Sequence, residues 1–269
     1  METILITGAS SGMGKVTAEE LIKEGHNVYC AARSVEKMKD LERLGGKLLK
    51  MDVSEEQSIV AGIEQIISSE GKIDVLWNNA GFGLYGPVEE ISIDKARYQF
   101  EVNIFGLARI TQKVLPYMRK SGKGLIINTS SMGGKMYTPL GAWYHATKHA
   151  LEGWSDCLRL EVKEFGIDVV ILEPGLIDTG FAAGVENHFA PEAMNGPYKR
   201  IVQGVLNSTS NGSLKMSSPM LIAKTVKKIV NAKKPKTRYL VGSMAKPLVM
   251  IRKIFGDRIF DKVITSQIK

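Results

Sequence analysis

A phenol and an ammonium four residues apart, Tyr144 and Lys148 in Trp143-Tyr144-His145-Ala146-Thr147-Lys148, form the pair in this chain best suited to chemistry. On a helix, residues i and i+4 share a face, so the ammonium would lie beside the phenol. A free phenol has a pKa of about 10, too weak an acid for catalysis at neutral pH, and a neighbouring cation favours the phenolate. The pair therefore reads as an activated acid/base. It follows a glycine-rich opening, Thr7-Gly8-Ala9-Ser10-Ser11-Gly12-Met13-Gly14. Directly after a first apolar strand, Gly8, Gly12 and Gly14 permit a tight turn and let backbone amides at a helix start approach a pyrophosphate. An acid/base combined with a dinucleotide cradle describes redox chemistry.

The elements that must position these groups are legible as alternating strand and helix patterns. Short apolar or β-branched runs occur at Ile4 to Thr7, Asn27 to Ala31, Lys47 to Met51, Asp74 to Asn78, Gly124 to Thr129, Asp168 to Leu172 and Arg238 to Val241. Runs apolar on both faces, such as Asp168-Val169-Val170-Ile171-Leu172, suit a parallel sheet covered by helices on both sides with right-handed crossovers. Glycine-containing turns at Glu24-Gly25-His26-Asn27, Leu44-Gly45-Gly46-Lys47 and Glu164-Phe165-Gly166-Ile167 fall where helices should stop. The expected fold is α/β: one domain over residues 1–269, a doubly wound, seven-stranded parallel sheet in three αβα layers. Residues 180–219, where the strand pattern lapses around Phe181, Phe189, Met194, Tyr198 and Met216, read as a substrate lid. A helix is expected from about Met220 to Ala232, and Met244 to Lys269 forms a C-terminal extension.

The glycine stretch also matches the Gly-x-Ser-x-Gly elbow of hydrolases. An elbow serine needs an oxyanion-hole amide from an earlier strand, and only a few residues precede this one. At the end of the second strand, Tyr29-Cys30-Ala31-Ala32-Arg33-Ser34 lacks the acid that would bond a ribose 2′-hydroxyl. Arg33 can instead pair with a 2′-phosphate, with Ser10 and Ser34 as neutral donors. The bland alternative is a solvated arginine. NADP(H) is therefore expected over NAD(H), with an NAD(H)-preferring dehydrogenase as the alternative.

With the loop, the Tyr-x-x-x-Lys pair and Asn78-Asn79-Ala80-Gly81 all in order, nearly the whole chain resembles the short-chain dehydrogenase/reductase family. Further marks are Asp52-Val53, Asn103 in Phe100-Glu101-Val102-Asn103, Ser131 in Asn128-Thr129-Ser130-Ser131, and Pro174-Gly175 with Thr179. Ala142 to Gly153 and Arg238 to Gly242 resemble the branch holding 17β-hydroxysteroid, retinol and acyl-dihydroxyacetone-phosphate oxidoreductases. The resemblance implies that Tyr144 protonates or deprotonates the substrate oxygen, that Ser131 holds that oxygen, and that Lys148 also binds the nicotinamide ribose. Asn103 would anchor a water for proton supply. Cofactor contacts would come from Gly8, Ser10, Ser11, Gly12, Met13, Gly14, Arg33, Ser34, Asp52, Val53, Asn79, Ala80, Gly81, Tyr144, Lys148, Pro174, Gly175, Ile177 and Thr179. Ser130 rivals Ser131, although strand alternation gives the two opposite faces. Asn79 has a purely structural alternative, bonding between strands. His145 and His149 point away from the Tyr144 and Lys148 face and read as packing or surface groups. No metal site is expected.

Phe82, Tyr85, Met132, Met136, Tyr137, Phe181 and Phe189 could form an apolar wall, which favours a hydrophobic ketone, aldehyde or alcohol. An NADP(H)-sensing regulator without turnover, and an epimerase or dehydratase, are the rival function classes. The net charge of +8 is concentrated late, in Lys224, Lys227, Lys228, Lys233, Lys234, Lys236 and Arg238, with no interleaved aromatic residues to stack bases. Nucleic acid is thus not expected, and a solvated helix face is. The tail, with Lys246, Arg252, Lys253, Arg258 and Lys262 among apolar residues, permits a pocket cap, a contact in a homodimer or homotetramer, or a membrane-surface helix. No run approaches the roughly 20 apolar residues of a membrane span, and no signal peptide is read. Two isolated cysteines, Cys30 and Cys157, are expected to be buried thiols in a reducing cytoplasm.

Overall fold

Seven strands form one sheet in the computed structural model, which describes residues 1–180, 196–210 and 215–266. They are β1 (Thr3–Thr7), β2 (Asn27–Ala32), β3 (Lys47–Lys50), β4 (Val75–Asn78), β5 (Gly124–Thr129), β6 (Ile167–Pro174) and β7 (Arg238–Val241). Every pairing is parallel and the order is β3-β2-β1-β4-β5-β6-β7. The helices between and after them are α1 (Gly12–Lys23), α2 (Lys39–Arg43), α3 (Glu56–Glu70), α4 (Ile93–Phe100), α5 (Leu107–Ser121), α6 (Ala142–Glu161), α7 (Lys199–Ser210), α8 (Pro219–Val230) and α9 (Ala245–Ser266), the last broken at Gly256.

Because side chains alternate along a strand, one strand feeds two cores. Ile4, Ile6, Val28, Cys30, Trp77 and Ile127 pack on one face with Leu21 of α1 and Ile222 and Val226 of α8. Leu5, Tyr29, Ala31, Leu76 and Ile126 pack on the other with Ile59 and Ile66 of α3 and Ile110 and Val114 of α5. This is the expected three-layer arrangement. The glycine turns also fall as read: Gly25, Gly45 and Gly166 have φ of 82°, 100° and 69°, a region that a side chain would strain. Strand order reverses between β1 and β4, and the crevice beyond their carboxyl ends is where such sheets bind ligands.

Some expectations are corrected. Cys30 is buried as read, but Cys157 is exposed, because it lies on the outer side of α6. The late cations are not only a solvated face. Lys227 pairs with Glu20 at 3.3 Å and Glu24 at 3.0 Å, tying α8 to α1, and Arg238 reaches Glu152 and Asp156 on α6. The helix read from Met220 to Ala232 runs Pro219–Val230, with Ser218 accepting from the Met220 amide at its cap. In the segment read as a lid, Phe181, Phe189 and Met194 lie outside the described residues. Within its described part, Val202 of α7 is buried against Leu140.

Candidate active site

The glycine loop is shaped by close backbone packing. Gly8 and Gly12 have φ of +70° and +53°, and a Cβ on Gly14 would lie 2.4 Å from the Gly8 carbonyl oxygen. Thr7 and Asn79 clamp β1 to β4: Thr7 Oγ1 accepts from the amides of Asn79 and Ala80, and Asn79 Nδ2 donates to the carbonyls of Thr7 and Gly8. The bland reading of Asn79 is therefore physically present, and the same residue also lines the cleft.

That cleft, about 620 Å³, collects Gly8, Ser10, Ser11, Gly12, Met13, Arg33, Asp52, Val53, Asn79, Ala80, Gly81 and Thr179 from loops far apart in sequence. Its cradle is cut for close approach, since a Cβ on Gly12 would meet Thr179 at 3.2 Å. Arg33 is exposed, lines the cleft and makes no ion pair among the described residues. These features fit a dinucleotide. The other expected contacts sit apart. Gly14 packs beneath the loop, and Ser34 is exposed beside Arg33. Pro174 ends β6, Gly175 donates to the Val241 carbonyl, and Ile177 is buried in the core.

Tyr144 and Lys148 occupy the buried face of α6, as the spacing requires. Lys148 Nζ donates to the Thr129 carbonyl at 2.8 Å and lies 5.8 Å from the centre of the Tyr144 ring. Ser131 hydrogen-bonds the phenol, while its own Oγ accepts from the Gly133 amide at 3.0 Å. Ser130 is buried away from this group, as strand alternation implied. Burial pushes Tyr144 up to about 12, against the opposing Ser131 bond, and pulls Lys148 down to about 8 against the charge of Glu152. Desolvation, which disfavours the phenolate, is the larger of the two effects on Tyr144.

Asn103 sits in a π turn, Glu101–Gly106, between α4 and α5. Such insertions cluster at functional sites because they shift backbone groups out of the helical ladder. Its Nδ2 donates to the Phe82 carbonyl and to Thr147, and its Oδ1 accepts from the Phe82 amide. The side chain thus fixes the turn carrying Gly81 and Phe82.

Sequence reasoning missed two contacts. Tyr85 stacks beside Tyr144 with ring centroids 5.5 Å apart, a contact between α6 and a loop with no pattern of its own. Glu152 lies one turn beyond Lys148 and is buried with Glu173, where Lys135 and Arg238 meet both. Burial and the nearby Glu152 charge raise Glu173 to about 7. The i+4 spacing of Glu152 from Lys148 was a signal, but its partners come from three other elements.

His145, read as a packing or surface group, is buried, and His149 is exposed. Its Nε2 accepts from the Thr138 amide at 3.0 Å, so Nδ1 carries the proton donated to the Gly133 carbonyl. This neutral tautomer pins the loop after β5 at both ends. Burial lowers its pKa to about 4, below the ordinary 6.5. A depressed histidine contributes stability above its unfolded pKa and loses it as pH falls through the folded one. His145→Asn should therefore destabilise most near pH 7, with the penalty shrinking by roughly 3 kcal/mol as pH falls through about 4. Urea unfolding of both proteins across that range checks this, and the difference between them removes the opposite trend from Glu173. A pH-independent penalty would refute it.

Comparison with known proteins follows the same lines as the geometry. A family model described as short chain dehydrogenase matches residues 2–189. A 3-ketodihydrosphingosine reductase of Bacteroides thetaiotaomicron is 39% identical over 251 residues, covering 93% of this chain and 90% of that protein. The uncharacterized oxidoreductase YbbO of Escherichia coli is 31% identical over 264 residues, 98% of this chain and 94% of that protein. Among solved structures, a short-chain dehydrogenase from Streptomyces avermitilis matches with a TM-score of 0.81 at 31% identity, covering 98% of this chain and 94% of that one. A serine dehydrogenase complexed with NADP+ matches at 0.76 and 25% identity, over 89% and 94% of the two chains. A 3-ketoacyl-(acyl-carrier-protein) reductase from Brucella melitensis complexed with NADH matches at 0.72 and 25%, over 85% and 90%.

Proposed function

The chain belongs to the short-chain dehydrogenase family, oxidoreductases acting on CH–OH groups with NAD(P), and on that premise we propose that it reduces a long-chain, hydrophobic ketone with NADPH, using Tyr144 as the acid. The observation that carries this reading is the buried Tyr144, bonded to Ser131 and beside Lys148, whose Nζ would lie 3.9 Å from a Cβ on Gly81 of the glycine-cradled cleft. A bound NADPH supplies the hydride to the carbonyl carbon. The proton is left to this chain: Tyr144 Oη donates it to the developing alkoxide, and Ser131 holds that oxygen in line. Lys148 keeps a cation behind the phenol, and Asn103 holds the turn lining the cleft.

Arg33 at the cleft rim supports NADP(H), since a guanidinium pairs well with a phosphate dianion and no acid stands at the end of β2. Phe82 in the cleft and Tyr85 against Tyr144 support an apolar substrate, whereas Met132, Met136 and Tyr137, read as part of the same wall, pack beneath α9. The name of the Bacteroides relative favours a long aliphatic ketone over a compact one.

The test is fluorescence titration with NADPH and NADH, followed by ketones of increasing chain length with deuterated NADPH. We expect tighter NADPH binding, turnover rising with chain length, and net deuterium at the alcohol carbon. Binding of neither cofactor, or a product without net deuterium, would overturn the proposal.

A further inference from the structure

The α9 segment is two helical stretches that meet at Gly256, whose φ of 71° breaks the helix, and each stretch has an inner and an outer side. Leu248, Phe260 and Ile264 turn inward onto Met136, beside Met132, Tyr137 and Ile251, so the inner face covers the loop that leaves Ser131. Outward, Met250, Ile254, Phe255 and Ile259 are 55%, 63%, 55% and 46% exposed. Apolar groups this large, gathered on one element, exceed the scattered hydrophobics of an ordinary surface. Helical spacing puts Lys246, Met250, Lys253 and Ile254 on one side, an apolar ridge edged by cations.

Charge decides what covers it. The nearby acids are already engaged, Asp257 by Arg252 and Asp261 by the Tyr137 hydroxyl at 2.9 Å. Lys246, Lys253, Arg258 and Lys262 have no ion pair among the described residues, in a chain of net charge +8. A second copy seated here about a two-fold axis would set these cations against themselves. An anionic bilayer satisfies both features at once, taking the apolar side chains below its phosphates and the cations among them. No described helix is long and apolar enough to cross a membrane, so α9 would lie in the interface rather than span it.

We propose that the outer face of α9 docks on an anionic lipid bilayer, setting the loop after Ser131 beside the membrane. Docking does not depend on the substrate or cofactor assigned above. The test is co-sedimentation of the full chain with phosphatidylcholine vesicles, with and without phosphatidylglycerol. The purified protein should bind only the anionic vesicles, less tightly as salt rises. Replacing Met250, Ile254 and Phe255 together by serine should weaken binding at least tenfold. The charge variant Lys246→Gln with Lys253→Gln should weaken binding and flatten its salt dependence. Thermal melting checks that each variant folds, and the charge variant alone decides the matter if the apolar one does not. Absence of binding to anionic vesicles overturns the proposal, as does binding that neither variant changes. A smaller particle mass for the apolar variant by light scattering, without vesicle binding by the parent, would assign the face to a second copy instead.

Discussion

Tyr144→Phe is expected to lower kcat for ketone reduction by about 10³-fold while leaving the affinity for NADPH within about twofold, because general acid catalysis by a positioned side chain contributes on that scale. The substitution removes one oxygen from a ring whose packing does not need it. The ring stays against Tyr85 at 5.5 Å and His145 at 5.7 Å, so α6 and the loop it faces should hold their places. What disappears is the only phenol bonded to Ser131 among the described residues. A separate readout distinguishes lost chemistry from lost structure. Oxidation of the alcohol needs the phenolate, and burial holds the phenol high, so the parent's oxidative rate should rise steeply with pH across the alkaline range. Reduction needs the phenol and should change little until pH nears its titration. In Tyr144→Phe the residual oxidative rate should lose this rise, as stopped-flow measurement of nicotinamide absorbance can show. A variant retaining the parent's pH profile would move the acid/base role elsewhere.

The frame of this site was legible because local chemistry and strand periodicity point the same way. Ile4 to Thr7 had to be a strand buried on both faces, Gly8 to Gly14 had to turn, and Tyr144 and Lys148 had to share a helical face. Each follows from residues within one turn or one strand. What remained hidden depends on contacts between elements distant in sequence. Glu152 and Glu173 meet only because β6 and α6 pack together, and Lys135 and Arg238 arrive from a loop and from β7. Tyr85 reaches Tyr144 across about sixty residues of chain that no periodicity links. Spacing revealed the cation beside the phenol, but the depth of burial that raises the phenol belongs to the assembled fold. The same holds for Cys157, whose side of α6 is settled by which flank meets the sheet.

Exchanging the two residues at the end of β2, Ala32→Asp with Arg33→Ala, should move the NADPH-to-NADH ratio of kcat/KM by about 10²–10³-fold toward NADH, the scale expected when a charge-assisted hydrogen bond is removed and a like-charge repulsion is introduced. Both side chains line the cleft, so the change acts where the adenosine ribose would lie. Arg33 is exposed and holds no other ion pair among the described residues, so its removal should leave the fold intact. Ala32 is only 8% exposed, and an aspartate there must find a partner or raise its pKa. A bound ribose with two free hydroxyls supplies that partner, and a 2′-phosphate opposes it. The two substitutions are therefore unequal in kind. Arg33→Ala alone should weaken NADPH and leave NADH nearly untouched, whereas Ala32→Asp should penalise NADPH and strengthen NADH. Steady-state kinetics of the two single variants and the double variant separate these contributions. If Arg33→Ala weakens both cofactors equally, Arg33 acts on something they share, such as the adenine or the pyrophosphate, and the preference for NADP(H) loses its physical basis.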